Sequence, residues 1–541
     1  MPKLSILIIC LFLATNLGKA QDIIFNKNAH GDSRIEFTTY GHNTFIGEGA
    51  GEFNEGVENT SLGFHTMFYN TTGHNNIAIG YEALYHNLTG ANNTATGNFT
   101  LYNNSTGIRN TATGYAALLD NTDGSDNTAV GFNSLAGNTT GNSNTATGAY
   151  TLNFNSTGYN NVANGYKALI ANTTGYNNSA TGSYSLYGNT TGVENTATGA
   201  LALYTNTTGS YNVVNGFQAM FANTSGQRNL AIGYQAMFGN STGSFNTATG
   251  TYALYSNSSG HDNTASGYNA LNNSTTGYYN VANGSQALRS NTTGHDNTAL
   301  GFYALYLTTT GNSNAAAGAN ALRSNSTGES NVAIGYDALY WNTTGDFNTG
   351  IGRNATCANG TTPSNFTAIG YTSGYVNSVS NRVEIGNTSV SWIGGQSGWS
   401  TYSDQRIKEH IQSNVPGLAF INKLNPVTYN LNIHQQNEIC GILDTMQWEG
   451  KYTLENITQS GFIAQEVEAA AREINYDFNG VTAPVDHAKL YSLQYASFVV
   501  PLTKAVQELS AENTALTAEV NELRVLLTTL SERLATLESK Q

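Results

Sequence analysis

A repeat of seventeen residues runs through the middle of the chain and limits its fold more than any other feature. A glycine recurs every seventeen residues from Gly63 to Gly352, which gives eighteen consecutive copies. An asparagine stands four residues before each of these glycines, and a leucine or methionine stands four residues after it in every copy except the last, which has Thr356. A second glycine follows ten residues on, from Gly73 to Gly345. Such fixed positions indicate one structural unit per copy.

Each copy has room for two short strands and two turns, and the T-A-T alternation before the glycine has the period of a strand. One unit cannot bury its own apolar side, so the copies must stack with leucine on leucine and asparagine on asparagine. We therefore predict a β-solenoid over residues 59–370, capped by residues 21–58. At about 4.8 Å per coil, the regular copies make a rod of about 85 Å. Disorder is the alternative, but it would not hold Leu and Asn at a fixed phase.

Composition argues against several classes of function. Charged residues are 10% of the chain, whereas an ordinary domain has about a quarter, so most of this protein is not an ordinary enzyme domain. The net charge of -14 and the lack of a Lys/Arg cluster in the repeats argue against a nucleic-acid partner. Cys357 and Cys440 have no metal-ligand partners at a familiar spacing. We expect two unpaired thiols, no metal and no cofactor.

The first twenty residues have the features of a secretory signal peptide. Lys3 precedes an apolar run over residues 4–14, and the small residues Gly18 and Ala20 suit a cut after residue 20. This run is too short for a permanent anchor, and no other segment reaches eighteen apolar residues. We expect bacterial-type export to a secreted or cell-surface location, with no membrane-spanning segment.

One coil of seventeen residues encloses little core, because its inward residues would be Ala and a single Leu or Met. Several chains should therefore bury their apolar stripes against one another. The N-x-A-x-G coils resemble the head repeats of trimeric autotransporter adhesins, in which such coils stack and three chains pack together. This resemblance covers the repeat motif only. It implies a homotrimeric fibre and says little about what is bound; a cell-surface molecule or a glycan is the candidate ligand of such a fibre.

The repeat ends after residue 370, and the sequence then changes character twice. Residues 371–402 form a connector, and its residues 381–402 alternate like strands and include Trp392 and Trp399. From residue 403 the composition is that of a small α/β module, which we place at residues 403–500. Its predicted elements are a helix between Pro416 and Asn425, strands at residues 427–433 and 461–463, and a helix at residues 464–474.

Residues 501–541 carry a heptad pattern. Leucine recurs every seven residues from Leu502 to Leu537, and mostly apolar residues stand between them at the alternate spacing. Asn513 is the one polar residue at a core position, where it fixes register or strand number. The pattern predicts a five-heptad coiled coil through which chains associate. The fold class is therefore mainly β: a long repeat solenoid, then a small α/β domain and a coiled coil.

Four motifs occur in order across the module. They are S-D-Q-R-I-K at residues 403–408, L-N-P-V-T-Y at 424–429, G-F-I-A-Q-E-V at 461–467, and Y-x-x-F-V-V-P-L-x-K-A-V-Q-E-L at 495–509. In this set the sequence resembles peptidase family S74, the intramolecular chaperone domain of phage tail spikes and endosialidases. The resemblance implies a three-chain module that helps the preceding fibre to trimerise and then cuts itself off.

Carried onto this sequence, the cleavage site lies between Tyr402 and Ser403, with Ser403 as the nucleophile and Lys408 as its base. The module would then be an autocatalytic serine endopeptidase with a single turnover. A lysine accepts the serine proton only if burial or nearby positive charge lowers its pKa. Asp404 and Arg406 are the supporting residues, and Arg406 supplies either that positive field or a contact to the oxyanion.

The spacing of five residues between Ser403 and Lys408 sets a geometric condition. A strand puts the two side chains on opposite faces, and a helix leaves them about 140° apart. Either the chain turns between them, or the lysine comes from a neighbouring chain. The alternative function is a structural surface adhesin with a permanently attached trimerisation cap, in which the charged segment is only a capped turn. A viral tail fibre is a third reading, which the signal peptide disfavours.

Overall fold

The structure is a computed structural model. It describes residues 23–27, 33–37, 41–374, 379–394, 396, 400–442, 448–484 and 490–540. The predicted signal peptide and Trp399 of the connector lie outside the described residues. The chain divides into two units, Met1–Ile351 and Gly352–Gln541.

The first unit is a parallel β-solenoid in which each strand pairs with the strands one turn before and one turn after it. Along the regular repeat, the partners are seventeen residues apart, as Ala163 and Ala180 are. An antiparallel pair, β1 (Ile23–Lys27) and β2 (Ser33–Phe37), comes before the solenoid in the chain. The solenoid strands are β3 (Thr44–Ile46), β4 (Thr60–Leu62), β5 (Ile77–Ile79), β6 (Thr94–Thr96), β7 (Thr111–Thr113), β8 (Thr128–Val130), β9 (Thr145–Thr147), β10 (Val162–Asn164), β11 (Ser179–Thr181), β12 (Thr196–Thr198), β13 (Val213–Asn215), β14 (Leu230–Ile232), β15 (Thr247–Thr249), β16 (Thr264–Ser266), β17 (Val281–Asn283), β18 (Thr298–Leu300), β19 (Ala315–Ala317), β20 (Val332–Ile334) and β21 (Thr349–Ile351).

The expectation of two strands per turn is wrong, because each turn of the described solenoid has one three-residue strand followed by tight turns. In the regular repeat, the second and fourth residues after the repeat glycine have positive φ, as Glu82 at 50° and Leu84 at 52° do. These left-handed residues bend the backbone where a second strand was expected. Two contacts hold Leu84 in this conformation. Its side chain is buried, and its amide donates a hydrogen bond of 2.9 Å to the Thr100 carbonyl.

The interior of the solenoid is a narrow apolar column beside a ladder of asparagines. The residue at the centre of most strands is alanine, and the anchor residue of most turns is leucine; both are fully buried, as Ala95 and Leu101 are. The asparagine before each strand joins neighbouring turns. Asn93 Oδ1 accepts from the Asn110 amide at 2.9 Å, and Asn93 Nδ2 donates to the Gly107 carbonyl at 2.9 Å. The predicted stacking of Leu on Leu and Asn on Asn is confirmed.

A second asparagine ladder lies seven residues after each repeat glycine, where the sequence pattern had indicated only a turn. Asn104 Nδ2 donates to Asn87 Oδ1 at 2.7 Å and to the Gly107 carbonyl at 3.0 Å. The asparagine of N-T-T-G is therefore an interior residue, and its side chain is fully buried. Two turns carry Ser274 and Thr308 at this position instead.

The second unit contains a parallel strand pair followed by a small α/β region and a long helix. Its apolar core includes Phe420, Val467, Phe478 and Phe498. The elements are β22 (Phe366–Ile369), β23 (Arg382–Ile385), α1 (Leu418–Ile421), β24 (Val427–Tyr429), α2 (Ile433–Ile439), β25 (Gln459–Gly461), α3 (Ala464–Glu473), β26 (Val481–Thr482), β27 (Ser492–Leu493) and α4 (Val499–Glu538), with 3-10 turns at Gln405–Ile407, Thr453–Asn456 and Tyr495–Phe498.

Two predicted strands of the module are placed differently. The strand expected over residues 427–433 ends at Tyr429, because Asn432 caps helix α2 by accepting a hydrogen bond from the Gln435 amide. The strand expected at residues 461–463 is β25, which ends at Gly461 and pairs with β24 in antiparallel register. The helix predicted at residues 464–474 is confirmed as α3.

Candidate functional site

Ser403 and Lys408 lie next to each other in a single chain. Lys408 Nζ donates to Ser403 Oγ at 2.7 Å. The chain turns between them through the 3-10 turn Gln405–Ile407. The two side chains can therefore meet, which they could not do on one straight strand or helix. A nitrogen at this distance can also take the serine proton when the amine is neutral.

Asp404 and Arg406 shape this turn. The Asp404 carboxylate accepts from the Arg406 amide at 2.8 Å and from the Arg406 guanidinium at 3.0 and 2.7 Å. The guanidinium holds the pKa of the Asp404 carboxyl below its usual value. Because Asp404 pairs with Arg406 through both carboxylate oxygens, Arg406 brings little net positive charge to the neighbouring lysine. In the single chain the pair positions the backbone of the turn.

The whole segment around Ser403 is exposed in the single chain. Residues 401–414 are all exposed, and Tyr402 is 98% exposed. Lysines act as bases where burial or a positive neighbour lowers their pKa. The described residues of this chain therefore do not bury Ser403 and Lys408.

Helix α4 is anchored at its start and bare along the rest of its length. Near the start, Ala505 is buried, and Glu508 accepts a hydrogen bond of 2.7 Å from the Leu418 amide of α1. Further along, the heptad leucines lie open to solvent, since Leu516 is 59% and Leu523 60% exposed. A row of exposed leucines on one helix is the seam that a partner helix covers in a coiled coil.

The solenoid also presents one outward surface without charge. We define the strand face as the first and third residues of strands β4 to β21. None of its thirty-six positions holds Asp, Glu, Lys or Arg. Several are large and apolar, and Ile77, Val213 and Ile334 are 43%, 46% and 47% exposed. Charged residues stand at other outward positions, as the exposed Arg109–Asp126 ion pair shows.

The two cysteines of the described residues lie apart from the Ser403 turn in the sequence. Cys357 and Cys440 are free and buried, which confirms the expected unpaired thiols. Burial raises the pKa of Cys357 to about 11, so this thiol is a poor nucleophile. Among the described residues, no three His, Cys, Asp or Glu side chains group as a metal site would need. The same residues contain no helix with the length and apolarity to cross a membrane.

A stacked solenoid, an exposed heptad seam and a small α/β module define a fibre-like chain with a C-terminal assembly region. Residues 403–476 match the family Peptidase_S74, described as chaperone of endosialidase. The match begins at Ser403 and confirms the resemblance over the first three motifs. It supports a trimerising, fibre-like protein of an extracellular kind. No curated protein and no solved structure matches the chain.

Proposed function

We propose that this chain is an exported fibre whose C-terminal module assembles three copies and then cuts each chain once, between Tyr402 and Ser403. The observation that carries the proposal is the contact of 2.7 Å between Lys408 Nζ and Ser403 Oγ. It lies at the start of the segment that matches the chaperone family. A charged surface turn would not require a serine and a lysine to meet in this way.

The chemistry needs only these residues and water. Neutral Lys408 takes the proton of Ser403 Oγ, which attacks the carbonyl carbon of Tyr402. The Tyr402–Ser403 C–N bond breaks, the lysine returns the proton to the leaving nitrogen, and an ester joins the Tyr402 carbonyl to Ser403 Oγ. One water molecule then hydrolyses this ester. The products are a fibre that ends in the Tyr402 carboxylate and a module that begins with the Ser403 amine.

In this proposal, assembly supplies the burial that Lys408 needs in order to act as a base. The exposed segment of residues 401–414 leaves Ser403 and Lys408 in water. Packing of a neighbouring module over this segment would bury the lysine and favour its neutral form. Cleavage would then follow assembly and would not precede it.

The experiment that tests this function compares the intact mass of the wild-type chain with that of Ser403→Ala under denaturing conditions. We expect wild type to give two pieces, one ending at Tyr402 and one beginning at Ser403, whereas Ser403→Ala stays whole. Ser413→Ala is the matched control, because Ser413 is also exposed and belongs to the same segment. If wild type and Ser403→Ala both stay whole, the module is a permanent trimerisation cap on a structural adhesin.

The uncharged strand face of the solenoid is a second observation in favour of a fibre made of several chains. Around a three-fold axis, identical residues of the three chains face one another, and like charges would repel. A surface of small, β-branched and apolar residues without charge suits such packing. We propose that the strand faces of three chains pack together along the solenoid.

We expect the double variant Thr196→Lys and Thr198→Lys to lower the melting temperature of the assembled fibre by about ten degrees or more. The two lysines of each chain would place six positive charges in the packed face of a trimer. Both threonines are exposed in the single chain, so the fold of one chain tolerates them. The matched control is Thr191→Lys with Thr208→Lys, two exposed threonines outside the strand face. Melting is followed by circular dichroism. If the strand-face variant and the control variant melt at the same temperature, the strand face is not an interface.

A further inference from the structure

The second asparagine ladder is interrupted at two turns by a shorter side chain. Ser274 and Thr308 are 0% exposed, and their hydroxyl oxygens have no hydrogen-bond partner. One turn earlier, the Oδ1 atoms of Asn257 and Asn291 are buried and also have none. The same arrangement of two unpartnered oxygens therefore occurs twice in the solenoid interior.

A regular turn shows which hydrogen bonds are missing. Asn121 Nδ2 donates one proton to Asn104 Oδ1 at 2.8 Å and the other to the Gly124 carbonyl at 2.9 Å. The Gly124 carbonyl also accepts from Asn110 Nδ2 at 2.8 Å. Each regular turn thus uses both protons of the amide group, and its glycine carbonyl accepts two bonds.

The turn that contains Ser274 keeps only part of this pattern. The Gly277 carbonyl accepts from Asn263 Nδ2 at 2.8 Å, as in a regular turn. A serine has no amide group, so Asn257 Oδ1 and the second lone pair of the Gly277 carbonyl receive no side-chain donor from residue 274. The turn of Thr308 repeats this, with Asn291 Oδ1 and the Gly311 carbonyl in the same positions.

We propose that each of these two turns binds one ordered water molecule in place of the missing amide group. At the first site the water donates to Asn257 Oδ1 and to the Gly277 carbonyl, and it accepts from the Ser274 hydroxyl. At the second site it donates to Asn291 Oδ1 and to the Gly311 carbonyl, and it accepts from the Thr308 hydroxyl.

Hydrogen bonding suits water at both sites, and side-chain size also suits it at the site of Ser274. A buried water makes about three hydrogen bonds and occupies about 30 Å³. At the first site, serine is smaller than asparagine by roughly the space of one such molecule. The two hydrogen bonds that the water donates reach the same two acceptors that the NH₂ group satisfies in a regular turn. The third bond is accepted from the hydroxyl group.

A monovalent cation is the competing ligand, because three oxygen atoms could also coordinate sodium or potassium. The interior positions of these turns are filled by Asn, Gly, Ala, Leu and hydroxyl residues, which carry no charge. Burying a cation without a counter-charge is far less favourable than burying water. The chemistry of the two sites therefore favours the neutral ligand.

The test is a crystal structure of the full chain at a resolution that shows ordered water. We expect a density peak about 2.8 Å from both Asn257 Oδ1 and the Gly277 oxygen, and an equivalent peak beside Thr308. In Ser274→Asn the first peak should vanish and a direct amide ladder should replace it, while the second peak remains. Absence of both peaks in wild type overturns the proposal.

Two further measurements separate the ligands and guard against a chance peak. Crystals grown with rubidium in place of sodium and potassium should show no anomalous signal at either site, and a signal there would identify a cation and refute the water assignment. The matched variant Asn240→Ser changes a regular member of the ladder. It should acquire a third water of the same geometry, and a dry serine at residue 240 would contradict the proposal.

Discussion

Replacing Lys408 with methionine should reduce the rate of cleavage between Tyr402 and Ser403 by about 10²- to 10⁴-fold, the usual contribution of a general base. Methionine has a similar length but cannot take the proton of Ser403 Oγ, to which Lys408 Nζ is bonded at 2.7 Å. Lys408→Arg should be equally inactive, because a guanidinium keeps its proton at any relevant pH. The measurement is the fraction of cleaved chain against time, by intact mass.

Lys423→Met is the control for a lost lysine. Lys423 Nζ donates a hydrogen bond of 2.6 Å to the Glu473 carboxylate on helix α3. This variant should therefore cleave like wild type. Cleavage of Lys408→Met at the wild-type rate would show that Lys408 is not the base.

Mixed trimers then distinguish a site within one chain from a site shared between chains. Chains with Ser403→Ala are mixed with chains that carry Lys408→Met. If serine and lysine act within one chain, as their contact indicates, no chain in the mixture is competent and all stay whole. If a neighbouring chain supplies the lysine, the chains that retain Ser403 will be cut.

Replacing Gly182 with alanine should lower the free energy of unfolding by about 4 kcal/mol or more, which is exceptional for a single substitution. Gly182 has a φ of +128°, and a Cβ atom there would lie 2.6 Å from the carbonyl carbon and oxygen of Gly199 in the next turn. The obstruction is backbone and cannot move aside without opening the strand ladder. A neighbouring turn shows the same approach, because a Cβ at Gly199 would lie 2.6 Å from the Gly216 oxygen.

Gly188→Ala is the matched control for this substitution. A Cβ at Gly188 would meet nothing closer than the Tyr204 oxygen at 3.1 Å, and two other turns already have alanine at this position, Ala171 and Ala222. We expect its unfolding free energy to stay within about 1 kcal/mol of wild type. Denaturation followed by circular dichroism measures both variants. Similar curves for Gly182→Ala and Gly188→Ala would contradict the close approach of neighbouring turns.

Self-cleavage after assembly would give the fibre a simple form of quality control. The solenoid interior is one narrow column of Ala and Leu between two asparagine ladders. A thin rod of this kind gains from packing against other copies. A module that cuts only after its neighbours cover Ser403 and Lys408 would release only fibres that have assembled.

Much of this organisation could be predicted from the sequence, because a strict repeat restricts each position to one environment. The period placed Leu101 and Asn93 inside the solenoid, and the heptad leucines placed a long helix at the C-terminus. The motif S-D-Q-R-I-K indicated Ser403 and Lys408 as the candidate nucleophile and base. In each case the spacing of residue types along the chain carried the information, and local geometry converts that spacing directly into a face or a stack.

Other features depended on contacts that spacing does not reveal. Leu84 adopts a left-handed conformation that its residue type disfavours, so only the packing of neighbouring turns decides that each turn has one strand and not two. The turn that brings Lys408 to Ser403 depends on how Asp404 binds Arg406. The sequence by itself determined which residues repeat and which chemistry is available. The tertiary structure decided which atoms meet, because distances between residues far apart or around a turn follow from the folded backbone.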